Sequence, residues 1–349
     1  MLAHDVRESE RTKLEMNKED DLLEDLRRVD KVVKEVLISS EELFSVVNKG
    51  DGLRLKVSRL GKKLISVLKV SEIEFSHHFP MHDMSPYADL LFRCAARSED
   101  PYLPFIIDGL CSDEFSWAVS ILNDLVFDIR ESSTSHNFKS TIRRFNKASK
   151  KRSDSLSRYV EALFSKYSRL VVIRVDLSYG SREFEGVDLL DAVKKAKDDW
   201  SRMQKDLYKG VPVGGLVGFA CKLEYGHLKG LHFHLLAFYD GSRCRKDVVM
   251  AKLLGVHWAE VITKGSGRYH NCNKNKAHYT RLGIGIINHY DVELIKNLKL
   301  YVSEYLVKVD YFVRLVPETG RVFFRGNMPK PKIPGRGRPR RVLEKLESN

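Results

Sequence analysis

One ten-residue stretch, Gly230–Tyr239, constrains the fold and chemistry of this chain more than any other. Its sequence, GLHFHLLAFY, is rich in β-forming residues and predicts a strand. Because successive strand residues point to opposite faces, His232 and His234 share one face and the apolar residues between and beside them share the other. Two adjacent imidazoles form half of a metal site, although an isolated His-x-His pair is more often a packing or surface feature.

The segment before this strand contains a candidate third ligand. Residues 216–225 predict another strand, and residues 226–230 predict a five-residue hairpin loop with glycine at each end. In a symmetric hairpin Glu224 lies directly opposite His232, with Cβ atoms roughly 5 Å apart on one face. Two alternatives stay open: Glu224 pairs only with Lys222 or solvent, or a one-residue slip in register turns it away.

A predicted helix downstream carries two tyrosines. Residues 291–308 have apolar side chains at helical spacing. Tyr301, Tyr305 and Lys308 are three or four positions apart, so they lie on one face. Tyrosine can act as a covalent nucleophile, and a nearby ammonium can stabilise a phenolate or a phosphate. The alternative is that both tyrosines only pack the helix against the sheet.

Taken together, these motifs resemble those of the HUH endonucleases, the rolling-circle replication initiators and their relatives. The resemblance extends to the inovirus-type replication protein family, which includes the prophage-encoded YagK/YfjJ proteins. The similarity covers roughly residues 155–341, with the motifs in the order of the family. The resembling segments are 169–179, 222–226, the His-x-His strand with 238–242, 262–269, 271–273, 305–308 and 336–340.

The resemblance implies a fold. It predicts an α+β protein whose C-terminal HUH domain has an antiparallel, ferredoxin-like or RRM-like sheet. Helices would pack on one face of that sheet and leave the other face to the metal and DNA.

The resemblance also implies a reaction. A divalent ion, Mn or Mg, held by His232, His234 and Glu224 would polarise a phosphate of single-stranded origin DNA. Tyr305, aided by Lys308, would attack that phosphate, giving a 5′-phosphotyrosine and a free 3′-OH that primes rolling-circle synthesis. The strand could later be rejoined without ATP.

In two-tyrosine relatives a second tyrosine is also a nucleophile, a role that would fall to Tyr301. The Tyr-x-x-Lys pattern fits the one-tyrosine enzymes better, so Tyr305 is the predicted nucleophile.

Composition supports a nucleic-acid partner and argues against a membrane protein. The formal net charge is +13 with a pI near 9.4, which favours an anionic partner. No run of about 18 apolar residues occurs and the first residues are charged, so neither a membrane span nor export is expected. The five scattered cysteines indicate reduced thiols. We therefore expect a protein of the bacterial host cytoplasm. Because no Walker motif is present, helicase and polymerase would be supplied by the host in trans.

Four regions are predicted along the chain. Residues 1–145 form a mainly α-helical N-terminal domain with helices over 20–37, 53–70 and 113–129. The sequence does not define its role; binding of origin duplex and recruitment of a host helicase are the two candidates. Residues 146–155 form a polar, basic linker, 156–326 the HUH endonuclease domain and 327–349 a basic tail. Within the third region we expect a strand over 170–177, helices over 187–208 and 246–261, a polar loop over 265–275 and a final strand over 321–325. Trp258 is predicted to be a core residue.

Further DNA contacts are predicted in the second half of the chain. Asp176 would face the site as a DNA contact or an auxiliary to the metal, or it forms a structural salt bridge with Arg174. The tail resembles an AT-hook, with arginines that would enter a narrow minor groove; the alternative is a flexible basic tail that contacts phosphates without specificity. The tail arginines are Arg336, Arg338, Arg340 and Arg341.

Three other functions compete with a replication initiator. A transposase or relaxase uses the same chemistry on a different DNA substrate. A non-catalytic DNA-binding regulator of the same fold would bind duplex DNA but form no covalent adduct. A purely structural protein has no use for His-x-His together with Tyr-x-x-Lys.

Overall fold

A computed structural model of the chain describes residues 21–50, 52–70, 72–79, 82–180, 183–226, 230–305, 313–315 and 320–330. They belong to two compact units. The first comprises residues 1–149 and 310–314, and the second residues 150–309 and 315–349. Helices and antiparallel sheets are combined, as the predicted α+β class requires.

The first unit combines helices with a β-hairpin. Its elements are α1 (21–38), β1 (Phe44–Lys49), β2 (Gly52–Val57), α2 (Arg59–Leu68), α3 (Glu72–His78), β3 (His82–Met84), α4 (Pro86–Ala95), α5 (Leu103–Ile106), α6 (Phe115–Thr134) and the start of α7 (His136–Lys166). One continuous core of leucine, valine and phenylalanine side chains holds α1, α2, α4 and α6 together. The burial of these apolar faces stabilises the unit.

The predicted helix over 53–70 is wrong in its first part. Residues 53–57 form β2, paired antiparallel with β1, and the helix begins only at Arg59. The sequence of this stretch, Leu-Arg-Leu-Lys-Val, alternates as a strand does. Ser58 then caps α2 by accepting a hydrogen bond from the Gly61 backbone N–H at 3.0 Å.

Residues 146–155, predicted as a linker, lie inside the long helix α7. The division between the two units falls within this segment, between residues 149 and 150. The polar, basic composition therefore belongs to a helix surface and does not indicate irregular chain. Phe138, Ile142 and Phe145 continue a helical spacing up to this segment, and Leu156 and Tyr159 resume it afterwards.

The second unit is built on one antiparallel sheet. Its strands are β4 (Arg169–Tyr179), β5 (Leu216–Gly226), β6 (Gly230–Asp240), β7 (Gly267–Asn271), β8 (Gly285–Asn288) and β10 (Phe323–Arg325). The order is β10-β5-β6-β4-β7, and β8 also pairs with β4. The helices are α8 (Leu189–Lys209), α9 (Asp247–Val256), which continues as a π-helix over His257–Ile262, and α10 (Val292–Tyr305). A separate short strand, β9 (Val313–Leu315), pairs with β3, and its residues 313 and 314 belong to the first unit.

Strand β7 lies within residues 265–275, which were predicted to form a polar loop. It pairs with the outer edge of β4, where Asp176 faces His270. As an edge strand it lacks the apolar alternation from which strands are recognised, since Arg268 and His270 are exposed. The prediction of a loop at these residues is therefore wrong.

Helices cover both faces of the sheet, which corrects the prediction that they pack on one face only. Trp200 of α8 stacks on Phe233 with ring centroids 5.6 Å apart, on the face away from the histidines. On the histidine-bearing face, Tyr159 of α7 contacts Phe238 at 6.2 Å. The sequence explains the difference, because residues 235–239 are all buried and apolar rather than alternating. Such a run needs apolar cover on both faces.

The core of the second unit is aromatic. Trp258, predicted as a core residue, is fully buried, and its indole N–H donates to the Ser178 carbonyl at 2.8 Å. Trp200 is also fully buried and contacts Phe219, Phe233 and Phe324. These side chains fix the sheet that positions the histidines. Among the described residues, no helix has both the length and the apolar character needed to cross a bilayer.

Candidate metal centre

Three adjacent strands bring the predicted metal ligands together. In the β5–β6 pair Glu224 lies opposite His232, in the predicted register, and Lys222 lies opposite His234. On the other side of β6, Asp176 of β4 lies opposite His234. Directly opposed residues share a face, so all five side chains rise from the same face of the sheet.

The three predicted ligands converge on one point. The carboxylate oxygen Oε2 of Glu224 lies 3.1 Å from Nε2 of His234 and 3.7 Å from Nε2 of His232. One ligand atom from each residue can be chosen so that all three lie within 4.8 Å of one another. Glu224, His232 and His234 therefore form a group that could hold a metal ion.

Each histidine is oriented through its other ring nitrogen. The Nδ1 of His232 lies 3.0 Å from the Gly230 carbonyl oxygen, and the Nδ1 of His234 lies 2.7 Å from Oδ1 of Asp176. Both neighbours are acceptors, so Nδ1–H donates in each ring and Nε2 faces Glu224. A histidine whose far nitrogen donates to a carbonyl or carboxylate is typical of metal-binding histidines, because the hydrogen bond fixes the tautomer and the ring orientation.

Two buried cations flank the carboxylates. The Lys222 ammonium lies 2.6 Å from Oε1 of Glu224, and the Arg174 guanidinium lies 3.2 Å from Asp176. Glu224 thus contacts both Lys222 and the histidines. The two alternatives considered for Glu224, a pairing with lysine or solvent alone and a slipped register, are wrong for this structure. Asp176 likewise contacts both His234 and Arg174.

These contacts shift the pKa values of the ionisable groups. Burial alone would raise the pKa of Glu224, but the charges of Lys222 and His234 outweigh it and hold that pKa well below the ordinary value. Burial would also raise the pKa of Asp176, but the hydrogen bond and the charge of His234 outweigh it and hold that pKa far below its ordinary value. Burial would lower the pKa of His234, yet the Glu224 charge and the Asp176 hydrogen bond raise it to about 9. At neutral pH the His234 ring is therefore protonated between its two carboxylates. A metal ion bound at Nε2 would have to displace the proton that Nε2 shares with Glu224.

The donor set fits a divalent ion. Two neutral imidazole nitrogens and one carboxylate oxygen suit first-row transition ions, and a carboxylate also suits Mn²⁺ and Mg²⁺. Three protein ligands leave positions open for water or substrate. The clustering of perturbed pKa values in one place is also typical of functional sites.

The tyrosines and the tail cannot be placed at this centre. Tyr301 and Tyr305 lie in the last turns of α10, but their side chains lie outside the described residues. Lys308 and the tail arginines Arg336, Arg338, Arg340 and Arg341 also lie outside them. Their roles remain predictions.

Two neighbours of the centre were not predicted. The Gly230 carbonyl orients His232, a contact that depends on the backbone of a loop-end glycine with φ +58°. Cys272 is buried beside Asp176, and burial together with the Asp176 charge raises the pKa of its thiol to about 12. Neither contact has a sequence signal, because one uses main-chain atoms and the other follows the unpredicted strand β7.

Comparison with known proteins adds no family to this description: no family model matches the sequence, and neither a curated protein nor a solved structure matches the chain. The fold and the donor set define a class in chemical terms. The chain is an α+β protein with a candidate His-His-Glu metal centre on an antiparallel sheet.

Proposed function

We propose that this chain is an HUH-type DNA endonuclease and strand transferase, a replication initiator that nicks single-stranded origin DNA. The observation that carries the proposal is the His-His-Glu centre, in which Nε2 of His234 lies 3.1 Å from Glu224 while Nδ1 donates to Asp176. The pattern of a tyrosine helix following a His-x-His strand, and the net charge of +13, support it further.

Glu224, His232 and His234 would hold the ion, which we propose to be Mn²⁺ or Mg²⁺. When bound, it would supply Lewis-acid polarisation of a phosphate oxygen. Asp176 and the Gly230 carbonyl would keep both imidazoles in the tautomer with Nε2 free. Lys222 would hold Glu224 by one oxygen and leave the other directed at the histidines.

Tyr305 is the proposed nucleophile. Its phenol would lose a proton and form a bond to phosphorus, and the bond from phosphorus to the 3′ oxygen would break. The leaving oxygen would gain a proton and become the free 3′-OH that primes synthesis by host enzymes. Lys308 would stabilise the phenolate or the leaving oxygen. Reversal of the same step would rejoin the strand, because the phosphotyrosine retains the energy of the phosphodiester bond.

A covalent-adduct assay tests this proposal. Full-length protein is incubated with single-stranded oligonucleotides from the candidate origin, with Mn²⁺, with Mg²⁺ or with a chelator, and protein–DNA adducts are separated on a denaturing gel. We expect adduct only with metal, and none with Tyr305→Phe. Tyr301→Phe, in the same helix, is the matched control and should retain adduct. Full activity of Tyr305→Phe, or loss in Tyr301→Phe alone, would refute the assignment.

A non-catalytic DNA-binding regulator of the same fold is the second candidate. The ion pairs of Lys222 with Glu224 and of Arg174 with Asp176 favour it, because they balance both carboxylates without a metal ion. Such a protein would bind DNA equally well with metal or chelator. It would form no adduct with any of the oligonucleotides.

A further inference from the structure

We propose that the exposed basic face of helix α7 binds the phosphate backbone of double-stranded DNA. This face, called here the α7 basic face, consists of Lys139, Arg143, Arg144 and Lys147, all in the first unit. It is separate from the metal centre, and it would let the chain hold duplex DNA while another part acts on a single strand.

The part of the chain that contains the α7 basic face carries charged side chains of positive sign only. Between Glu131 and Asp154 the chain has seven lysines and arginines and no acidic residue. The four residues of the α7 basic face are exposed, and none forms an ion pair with any residue in the described part of the chain. Arg144 donates one hydrogen bond, to the Thr141 hydroxyl at 3.2 Å. These charges are therefore available to an anionic partner.

The helix collects these charges on one side. Lys139, Arg143 and Lys147 are spaced four residues apart, and Arg144 lies on the neighbouring row. The opposite side is formed by Phe138 and Phe145, both buried. From Lys139 to Lys147 the helix rises ~12 Å, a length over which duplex DNA carries about seven phosphate charges.

The composition of the face favours duplex backbone over single strands. Proteins that bind single strands combine positive charge with aromatic side chains on which bases stack. The aromatic residues of this part of α7 point inward: Phe138 contacts the Tyr87 ring of α4 with centroids 5.8 Å apart, and Phe145 is buried. The exposed side of this part of α7 therefore presents positive charge and no aromatic ring for base stacking. Such a surface contacts phosphates and does not recognise bases.

The same burial argues against a lipid surface as the partner. A helix that lies on a membrane inserts an apolar side next to its basic side. In α7 the apolar side is packed into the protein, with Phe138 6% and Phe145 9% exposed. The arginines, which can bind phosphate through two N–H groups, fit a nucleic-acid backbone.

The test measures how binding to a random-sequence 30-base-pair duplex depends on salt. Full-length protein is titrated in chelator, so that the result does not depend on the metal centre or on nicking. Replacing all four residues by glutamine (K139Q/R143Q/R144Q/K147Q) should lower the slope of log affinity against log salt by up to about 3.6, at about 0.9 per lost phosphate contact. Between 50 and 200 mM salt, the variant should then lose about 100-fold less affinity than the native chain.

Two control variants make the test specific. K194Q/K205Q/R245Q/K252Q removes the same charge from exposed positions of the second unit and should leave the salt slope within about one unit of the native value. R143K/R144K keeps the charge and should keep the slope. Glutamine is a good helix former, so the quadruple variant should keep its native circular dichroism and melting temperature.

Several outcomes would overturn the proposal. One is an unchanged slope in the quadruple variant, and another is an equal loss in the second-unit control, which would indicate general charge attraction. A larger loss for single-stranded than for duplex DNA would show that the face serves single strands. Loss of binding to phosphatidylserine vesicles with duplex binding intact would assign it to membranes.

Discussion

His234 lies between two carboxylates, and this position decides how the centre responds to pH. The neighbouring Glu224 and Asp176 raise its pKa to about 9. Because a metal ligand must be deprotonated, an ion has to displace this proton. We expect Mn²⁺ affinity to rise about tenfold per pH unit between pH 7 and pH 9 and to level off above that. Isothermal titration calorimetry measures it, and a flat profile would contradict the arrangement.

Asp176 contributes to that pH dependence through its hydrogen bond to Nδ1 of His234. Replacing it by asparagine removes a negative charge that holds the proton, so the pKa of His234 should fall. The same calorimetric titration should then level off at a lower pH than in the native chain. Substitution of the exposed His278 by glutamine is the control and should change nothing.

The same proton affects the stability of the metal-free protein. A histidine whose folded pKa lies above its ordinary value of 6.5 contributes stability that is fully present below about pH 6.5. That contribution is lost as the pH rises through about 9. In chelator, the difference in melting temperature between the native chain and His234→Gln should therefore shrink from pH 7 to pH 10. A difference that grows with pH would contradict this sign.

At the scale of elements, Gly218 of β5 allows α7 to approach the sheet closely. A Cβ there would collide with the Tyr159 hydroxyl, which also accepts a hydrogen bond from the Phe219 N–H at 3.3 Å. Gly218→Ala should destabilise the protein by about 1–3 kcal/mol in urea unfolding. Gly214→Ala, whose Cβ would meet no atom within 4 Å, should cost less.

A double-mutant cycle tests whether the collision with Tyr159 causes the destabilisation expected for Gly218→Ala. Tyr159→Phe removes the oxygen that collides, so the double variant with Gly218→Ala should be more stable than the sum of the single effects predicts. Strict additivity of the two free-energy changes would show that Gly218 is needed for a different reason.

Elements were predictable where burial leaves a periodic pattern. The β5–β6 hairpin and its register follow from alternation and from glycine at both loop ends, and they place Glu224 opposite His232. Strand β7 could not be found this way, because an edge strand with exposed Arg268 and His270 resembles a polar loop. The packing of α7 on the histidine-bearing face was not predicted, because residues 235–239 were interpreted as part of a strand with only one buried face, whereas all five are buried.

The site was predictable to the extent that it depends on one local hairpin. Glu224, His232 and His234 are close in sequence, and one register fixes all three. The contacts that orient the two imidazole rings are harder to predict. One comes from a main-chain carbonyl, and the other comes from Asp176 of β4, which is 58 positions away from His234 in the sequence. Sequence patterns do not show whether Asp176 accepts from the Arg174 guanidinium, from the His234 ring or from both, so the double role of Asp176 had to come from the structure.

At the scale of the whole molecule, the proposed DNA-binding face and the candidate metal centre belong to different units. All described groups of the metal centre belong to the second unit, and the α7 basic face belongs to the first. If the two act on different DNA, neutralising the α7 basic face should weaken duplex binding without changing metal affinity. Calorimetry on K139Q/R143Q/R144Q/K147Q measures the second quantity, and a tenfold weaker metal affinity would argue against independence.

The most direct test of the account is the number of Mn²⁺ ions bound by the native chain, measured by equilibrium dialysis with elemental analysis at pH 8. The Glu224, His232 and His234 ligand set predicts one tightly bound ion per chain, lost in His232→Ala and in His234→Ala and retained in His278→Ala. No bound ion in the native chain, or an ion retained by both of the first two variants, would contradict it.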